Sequence, residues 1–202
     1  DALIAAGSVK NLAALRGRRV AIEPGTLHIQ LLALALDSVQ LTVRDVALVP
    51  MPQSAMPAAF ADGLVDAAVC FPPESNRLLE KGGKVVFHSG QVPGEVVDTL
   101  VFDGAFVARR GNEVQAFVGA YYRAMGFMAT NPDEAHAIMA RRENMSIDEL
   151  RQTIAGLRYV SREAQLELLS PGGPVEHSLS RLQGAMMALA QLRQSRTLKD
   201  FL

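Results

Sequence analysis

The sequence predicts an α/β fold in which a parallel sheet of helix-linked strands is inserted into a second, largely helical lobe. Three observations predict it. Short apolar strands alternate with helix-length segments through the first half of the chain, each strand stopping at a turn residue. From Asn112 onward the pattern is helical throughout. Two further apolar strands, Ala2–Ala6 and Asp98–Arg109, bracket the alternating block as if they crossed between lobes.

Arg18–Glu23 reads as the first strand of the block, apolar at its centre and stopped by Pro24-Gly25. Thr26 is a suitable N-cap, and Leu27, Leu31, Leu32, Leu34 and Ala35 line the helix Leu27–Leu36. Val43–Met51 reads as a strand ending at Pro52, and Gln53–Ala61 as a helix closed by Asp62-Gly63. Val65–Phe71 is apolar after Asp66, as expected for a strand buried on both faces. Pro72-Pro73 stops it, Glu74–Glu80 reads as a helix, and Lys84–His88 as the next strand. Helix-linked strands of this kind imply right-handed βαβ units and a parallel sheet.

Asp98–Arg109 then reads as one long strand, followed by helices over Glu113–Thr130 and from Asn131. Ser146-Ile-Asp-Glu149 is a capping box opening a helix over Asp148–Leu157. Tyr159–Ser161 is short and extended, Pro171–Pro174 is a turn, and Val175–Arg193 is a final long helix. The expected organisation is a lobe at 13–96 inserted into a lobe built from 1–12 and 97–202. The opening Asp1–Ala6 reads as strand rather than as a natural start, so the chain is expected to begin part-way through a larger protein.

Hydrophobic residues make up 49% of the 202 positions, which supports a packed core. Twenty basic residues face 21 acidic ones, no basic stripe stands out, and nucleic acid is not an expected partner. The one cysteine, Cys70, cannot form an internal disulfide. The longest apolar run, Ile29–Leu36, carries Gln30 and is far short of the roughly 20 residues that span a bilayer. The histidines show no metal-ligand spacing, so no metal site is expected. No Ser-His-Asp order, P-loop or GxGxxG is visible, and the chain is expected to be neither an enzyme nor a cofactor carrier.

In a parallel α/β sheet, ligands bind beyond the carboxyl ends of the strands. Those ends are Glu23–Thr26, Met51–Gln53, Cys70-Phe71 and His88-Ser89. Gly25, Thr26 and Leu27 open a helix whose free N–H groups and dipole favour an anionic ligand end, or form an ordinary capped turn. His28 lies in the first turn and either bonds the ligand or is simply solvated. Gln53 could donate to a carboxylate or sulfonate, or cap its own helix. Phe71 could wall an apolar side of a pocket. Cys70 is better placed as a buried thiol than as a nucleophile. Asp98 and Thr99 could meet a ligand amine or fix a hinge, or be turn residues.

Several segments resemble, in the same order, the periplasmic substrate-binding proteins of ABC transporters. Leu12-Ala-Ala-Leu-Arg-Gly-Arg-Arg-Val-Ala-Ile-Glu-Pro-Gly-Thr26 is similar to the opening of their second lobe. Ala58-Ala-Phe-Ala-Asp-Gly-Leu-Val-Asp-Ala-Ala-Val69, Lys81-Gly-Gly-Lys-Val-Val86, Phe117–Ala124 and Asn131–Ala135 follow in register. The nearest group is the nitrate/sulfonate/taurine type, which includes pyrimidine binders. The resemblance implies a two-lobe Venus-flytrap fold with an incomplete first lobe, since the strand-helix block with which that family begins has no counterpart. It places Gly25, Thr26 and His28 where the family holds an anionic group. Phe71 falls where the family often has Trp-Glu-Pro, so the Trp and the acid of that motif are absent. It implies a monomeric periplasmic or extracytoplasmic protein, lipid-anchored in a Gram-positive cell. Such a protein delivers a small anionic or polar ligand to a membrane ABC permease. The alternatives are a sensor domain of a signalling protein with the same fold and, less favoured, an enzyme on it.

Overall fold

A computed structural model describes residues 1–190 and 192–197. They form two compact units, one of residues 1–97 with the described residues from 165 onward and one of residues 98–164.

The first unit is built on one five-stranded sheet: β1 (Ala2–Ala5), β2 (Arg19–Ile22), β3 (Ala47–Pro50), β4 (Ala67–Cys70) and β5 (Lys84–His88), in the order β3-β2-β4-β1-β5. β2 runs parallel to β3 and to β4, as helix-linked strands should. β1 lies between β4 and β5 and is antiparallel to both, with an irregularity between Leu3 and Ile4. The sheet is therefore mixed, not parallel throughout. The helix rule governs only strands joined by crossovers, and β1 reaches β2 through a loop holding one 3-10 turn at Leu12–Leu15.

Alternation along the strands divides the core. Leu3, Ala5, Val20, Ile22, Val69 and Phe87 face one side with Leu31, Leu32 and Leu36 of α1 (His28–Asp37), where Leu182 and Met186 of α8 (Pro174–Ala188) also pack. Ile4, Ala21, Ala68 and Cys70 face the other, against Met56 and Phe60 of α2 (Met56–Ala61) and Leu78 of α3 (Glu74–Glu80). All four residues of β4 are buried, as its apolar run requires. Asp66 fastens the start of β4 to β2: its carboxylate accepts from the Arg19 amide at 2.9 Å and from the Arg19 guanidinium at 3.0 and 3.1 Å. That hydrogen-bonded pair holds the Asp66 carboxyl below the usual carboxylate range.

The second unit holds α4 (Gly104–Thr130), α5 (Pro132–Glu143) and α6 (Ile147–Ile154). The expected strand Asp98–Arg109 does not form. Residues 98–103 are irregular, Asp103 accepts the Phe106 N–H at 2.8 Å as an N-cap, and the helix runs on from Gly104. The helix is kinked at Arg110, with φ −132° and ψ 34°. An apolar run cannot distinguish strand from helix by itself, and the cap decides it. The capping box at Ser146 and Glu149 forms as expected. α7 (Arg162–Leu168) carries the chain back to the first unit. α8 stops at Ala188, short of the expected Arg193, and Gln191 of that expected helix lies outside the described residues.

Candidate functional site

At the carboxyl edge of β2 the chain turns through Pro24, Gly25 and Thr26 into α1. Gly25 sits at φ 76°, in the left-handed region that a side chain would strain. Thr26 was expected to be the N-cap, but Leu27 takes that position and caps nothing with its side chain. The Thr26 hydroxyl instead donates to the Glu23 carbonyl at 2.7 Å and accepts the His28 N–H at 3.3 Å. Of the amides expected to face a ligand, that of His28 is thus taken internally. The amides of Ile29 and Gln30 find no acceptor among the described residues, so the positive end of α1 remains open.

His28 is fully buried rather than solvated. Its Nδ1 accepts the Glu23 N–H at 3.1 Å, which puts the proton of the neutral ring on Nε2. Nε2 is buried and has no hydrogen-bond partner among the described residues. Burial pushes the His28 pKa down, against smaller upward effects of the Glu23 charge and of a side-chain interaction with Gln53, and with a further lowering by the terminal ammonium. The Nε2–H thus has the Gln53 side chain near it but no hydrogen bond of good geometry. The Phe71 ring meets it edge-on, centroids 5.8 Å apart at 64°, and Phe71 itself is 38% exposed.

Gln53 opens a 3-10 turn at Gln53–Ala55 after β3 and is buried. Its carbonyl accepts the Phe71 N–H at 3.0 Å and its amide donates to the Glu74 carboxylate at 3.0 Å. Glu74, the first residue of α3, is 9% exposed and pairs with Arg77 at 3.2 Å. Gly25, Thr26, Leu27, His28, Gln53 and Phe71 are thus gathered along one sheet edge. Asp98 and Thr99 belong to the other unit, exposed on the irregular segment before α4. Sequence reading missed Glu74. The visible signal was an acid directly after a strand-stopping Pro-Pro pair.

Cys70, at the end of β4, is fully buried, and burial with the nearby Glu74 charge pushes its thiol up to about 12. That thiol is a poor nucleophile at neutral pH. No group of three or more His, Cys, Asp or Glu residues able to hold a metal ion occurs among the described residues, and no helix there is long and apolar enough to cross a membrane.

Residues 3–142 match the model of a family described as NMT1-like. The chain is 25% identical over 209 aligned positions to a protein of Brucella abortus (strain 2308) named as a binding protein. The match takes in the whole chain but 64% of that protein's length. Among solved structures it is similar to the alkanesulfonate-binding protein SsuA of Xanthomonas axonopodis pv. citri. There the TM-score is 0.73 at 18% identity, over 98% of this chain and 68% of the other. It is also similar to the desulfurization enzyme DSZB, with a TM-score of 0.60 at 17% identity over 99% of this chain and 72% of that one. The periplasmic-binding-protein fold is thereby shared with a binder and an enzyme, and fold alone does not choose between them.

Proposed function

This chain belongs to the NMT1-like family, and from that premise we propose that it is a solute-binding protein. In this reading it works outside the cytoplasm as a monomer and delivers a small anionic or polar organic ligand to an ABC importer. Sulfonates, nitrate, carboxylates and pyrimidine-like rings make up the candidate class.

The observation that carries the reading is the open start of α1 beside a buried, unpartnered His28 Nε2–H. Both are neutral donors aimed by fixed backbone, and a ligand's acceptor end would complete them. Phe71 supplies an apolar wall and Gln53 fixes the neighbouring strand ends. Asp98 and Thr99 remain candidate ligand contacts. The binding reading is favoured over an enzymatic one by Cys70, whose buried thiol sits at the strand end yet is held protonated.

Thermal-shift screening of the whole chain against small sulfonates, carboxylates, nitrate and pyrimidines tests this. A true ligand at a hundredfold excess over its Kd stabilises by about 2.7 kcal/mol and raises the midpoint visibly. A broad library with no stabilising member contradicts it.

A further inference from the structure

We propose that the first unit carries a second small-molecule site, a cleft between α1 and α8 that takes a linear organic cation. Its ligand has an ammonium at one end, an apolar body, and a hydroxyl or N–H donor about 10 Å away. The site lies on the flank of α1, apart from the strand ends, and goes beyond the solute-binding reading.

Helix periodicity builds the cleft. On α1, Gln30, Ala33, Leu34 and Asp37 fall at i, i+3, i+4 and i+7, so they share one stripe, and all four line the cleft. Gln30 stands two residues from His28, about 200° round the helix, which puts the stripe on the other side of α1 from that ring. Arg181 and Ala185 of α8, at i and i+4, form the opposite wall. Ala33 and Ala185 leave the space between the helices that longer apolar chains would fill. The cleft measures about 470 Å³, within the usual range for small-molecule sites. Both helices belong to the first unit.

Gln30 defines one end. It is 5% exposed, and its Nε2 donates to the Glu95 carbonyl at 2.5 Å and to the Ser178 hydroxyl at 2.8 Å. A backbone carbonyl only accepts, so the amide nitrogen must turn toward Glu95. The Oε1 is left for the cleft, with no hydrogen-bond donor among the described residues. A carbonyl held on a side chain this buried is completed by a ligand O–H or N–H.

Charge decides the other end. Arg181 is countered by Glu95, Nε to Oε1 at 3.4 Å, and the second Glu95 oxygen is buried without a partner. That pair therefore offers a ligand no open positive charge. Arg44 donates to the Ala188 carbonyl at the last residue of α8, so that helix end already has its cation. Asp37 ends α1 differently: it is exposed, no basic residue lies in that last turn, and it has no ion pair among the described residues. Its carboxylate and the negative end of the helix both favour a cation. Gln30 and Asp37 are seven residues apart, about 10 Å along the axis, and this sets the spacing of the ligand's two donor ends.

The test is titration calorimetry on the whole chain at low salt with three probes: 8-amino-1-octanol, its O-methyl ether, and 1-octanol. The amino alcohol should bind one to one. The ether, which lacks the far donor, and 1-octanol, which lacks the cation, should each bind at least about threefold more weakly. Asp37→Asn changes an exposed residue and should bring the ratio of amino alcohol to 1-octanol close to one. Ala185→Leu keeps a strong helix former and fills the cleft, so it should abolish binding with the far-UV circular dichroism unchanged. Amide chemical shifts should move at Ala33–Asp37 and Arg181–Ala188. No saturable binding to the folded protein overturns the proposal, and so does a ratio that survives Asp37→Asn. Binding retained by a folded Ala185→Leu variant, or shifts centred on Gly25 and Phe71, overturns it as well while leaving the solute-binding reading standing.

Discussion

The Gln53 side-chain amide donates to a Glu74 carboxylate oxygen at 3.0 Å while its carbonyl accepts the Phe71 N–H, also at 3.0 Å. One buried residue thus joins the end of β3 to the end of β4 and the first residue of α3. Replacing it with methionine keeps the bulk and removes both bonds. The Phe71 amide and one Glu74 oxygen then lose their partners, so Gln53→Met should destabilise the chain by about 1–3 kcal/mol in urea unfolding. A change within about 0.5 kcal/mol would mean that water replaces the amide without cost.

His28 sets a pH dependence. Its folded pKa is lowered, so between that value and the ordinary one near 6.5 the unfolded chain binds the extra proton. Stability is therefore full above about pH 7 and falls as pH drops below about 6.5, until the folded ring itself protonates. His28→Asn, whose carbonyl can still take the Glu23 N–H, should remove this part of the slope. Parallel stability curves for the two proteins from pH 7.5 to 5 would contradict the assignment.

Cys70 makes a chemical prediction. With the thiol pushed up to about 12 and fully buried, native protein at pH 8 should resist a thiol-alkylating reagent and label only after unfolding in denaturant. Stoichiometric labelling of the native chain within minutes would revive a nucleophilic role for this residue.

Thr26 works on its own backbone, donating to the Glu23 carbonyl and accepting the His28 N–H. Thr26→Ser should be nearly neutral, whereas Thr26→Ala should cost about 1 kcal/mol, the usual value of a lost helix-start bond. Equal stabilities for the two variants would show that the hydroxyl contributes nothing to the turn.

Legibility in the sequence followed the range of the forces involved. β2, β4, β5, α1 and α3 were readable because local periodicity and turn residues decide them. The placement of β1 between β4 and β5 was not, since strand neighbours depend on contacts across more than 60 residues. The helical start at Gly104 turned on a single cap, Asp103, inside an apolar run. At the site, Gly25, Thr26 and His28 were visible from the turn itself. The burial of His28 and the reach of Glu74 to Gln53 depend on three strand ends meeting, which no local pattern encodes.

The central claim is that the carboxyl edge of the sheet, at the start of α1, is the ligand site. Amide chemical shifts of the uniformly labelled chain, followed during titration with small sulfonates, carboxylates, nitrate and pyrimidines, test it most directly. The account predicts saturable shifts centred on Gly25–Gln30, Phe71 and the Gln53 side-chain amide, with a common dissociation constant. Saturable shifts confined to residues away from that edge would contradict it.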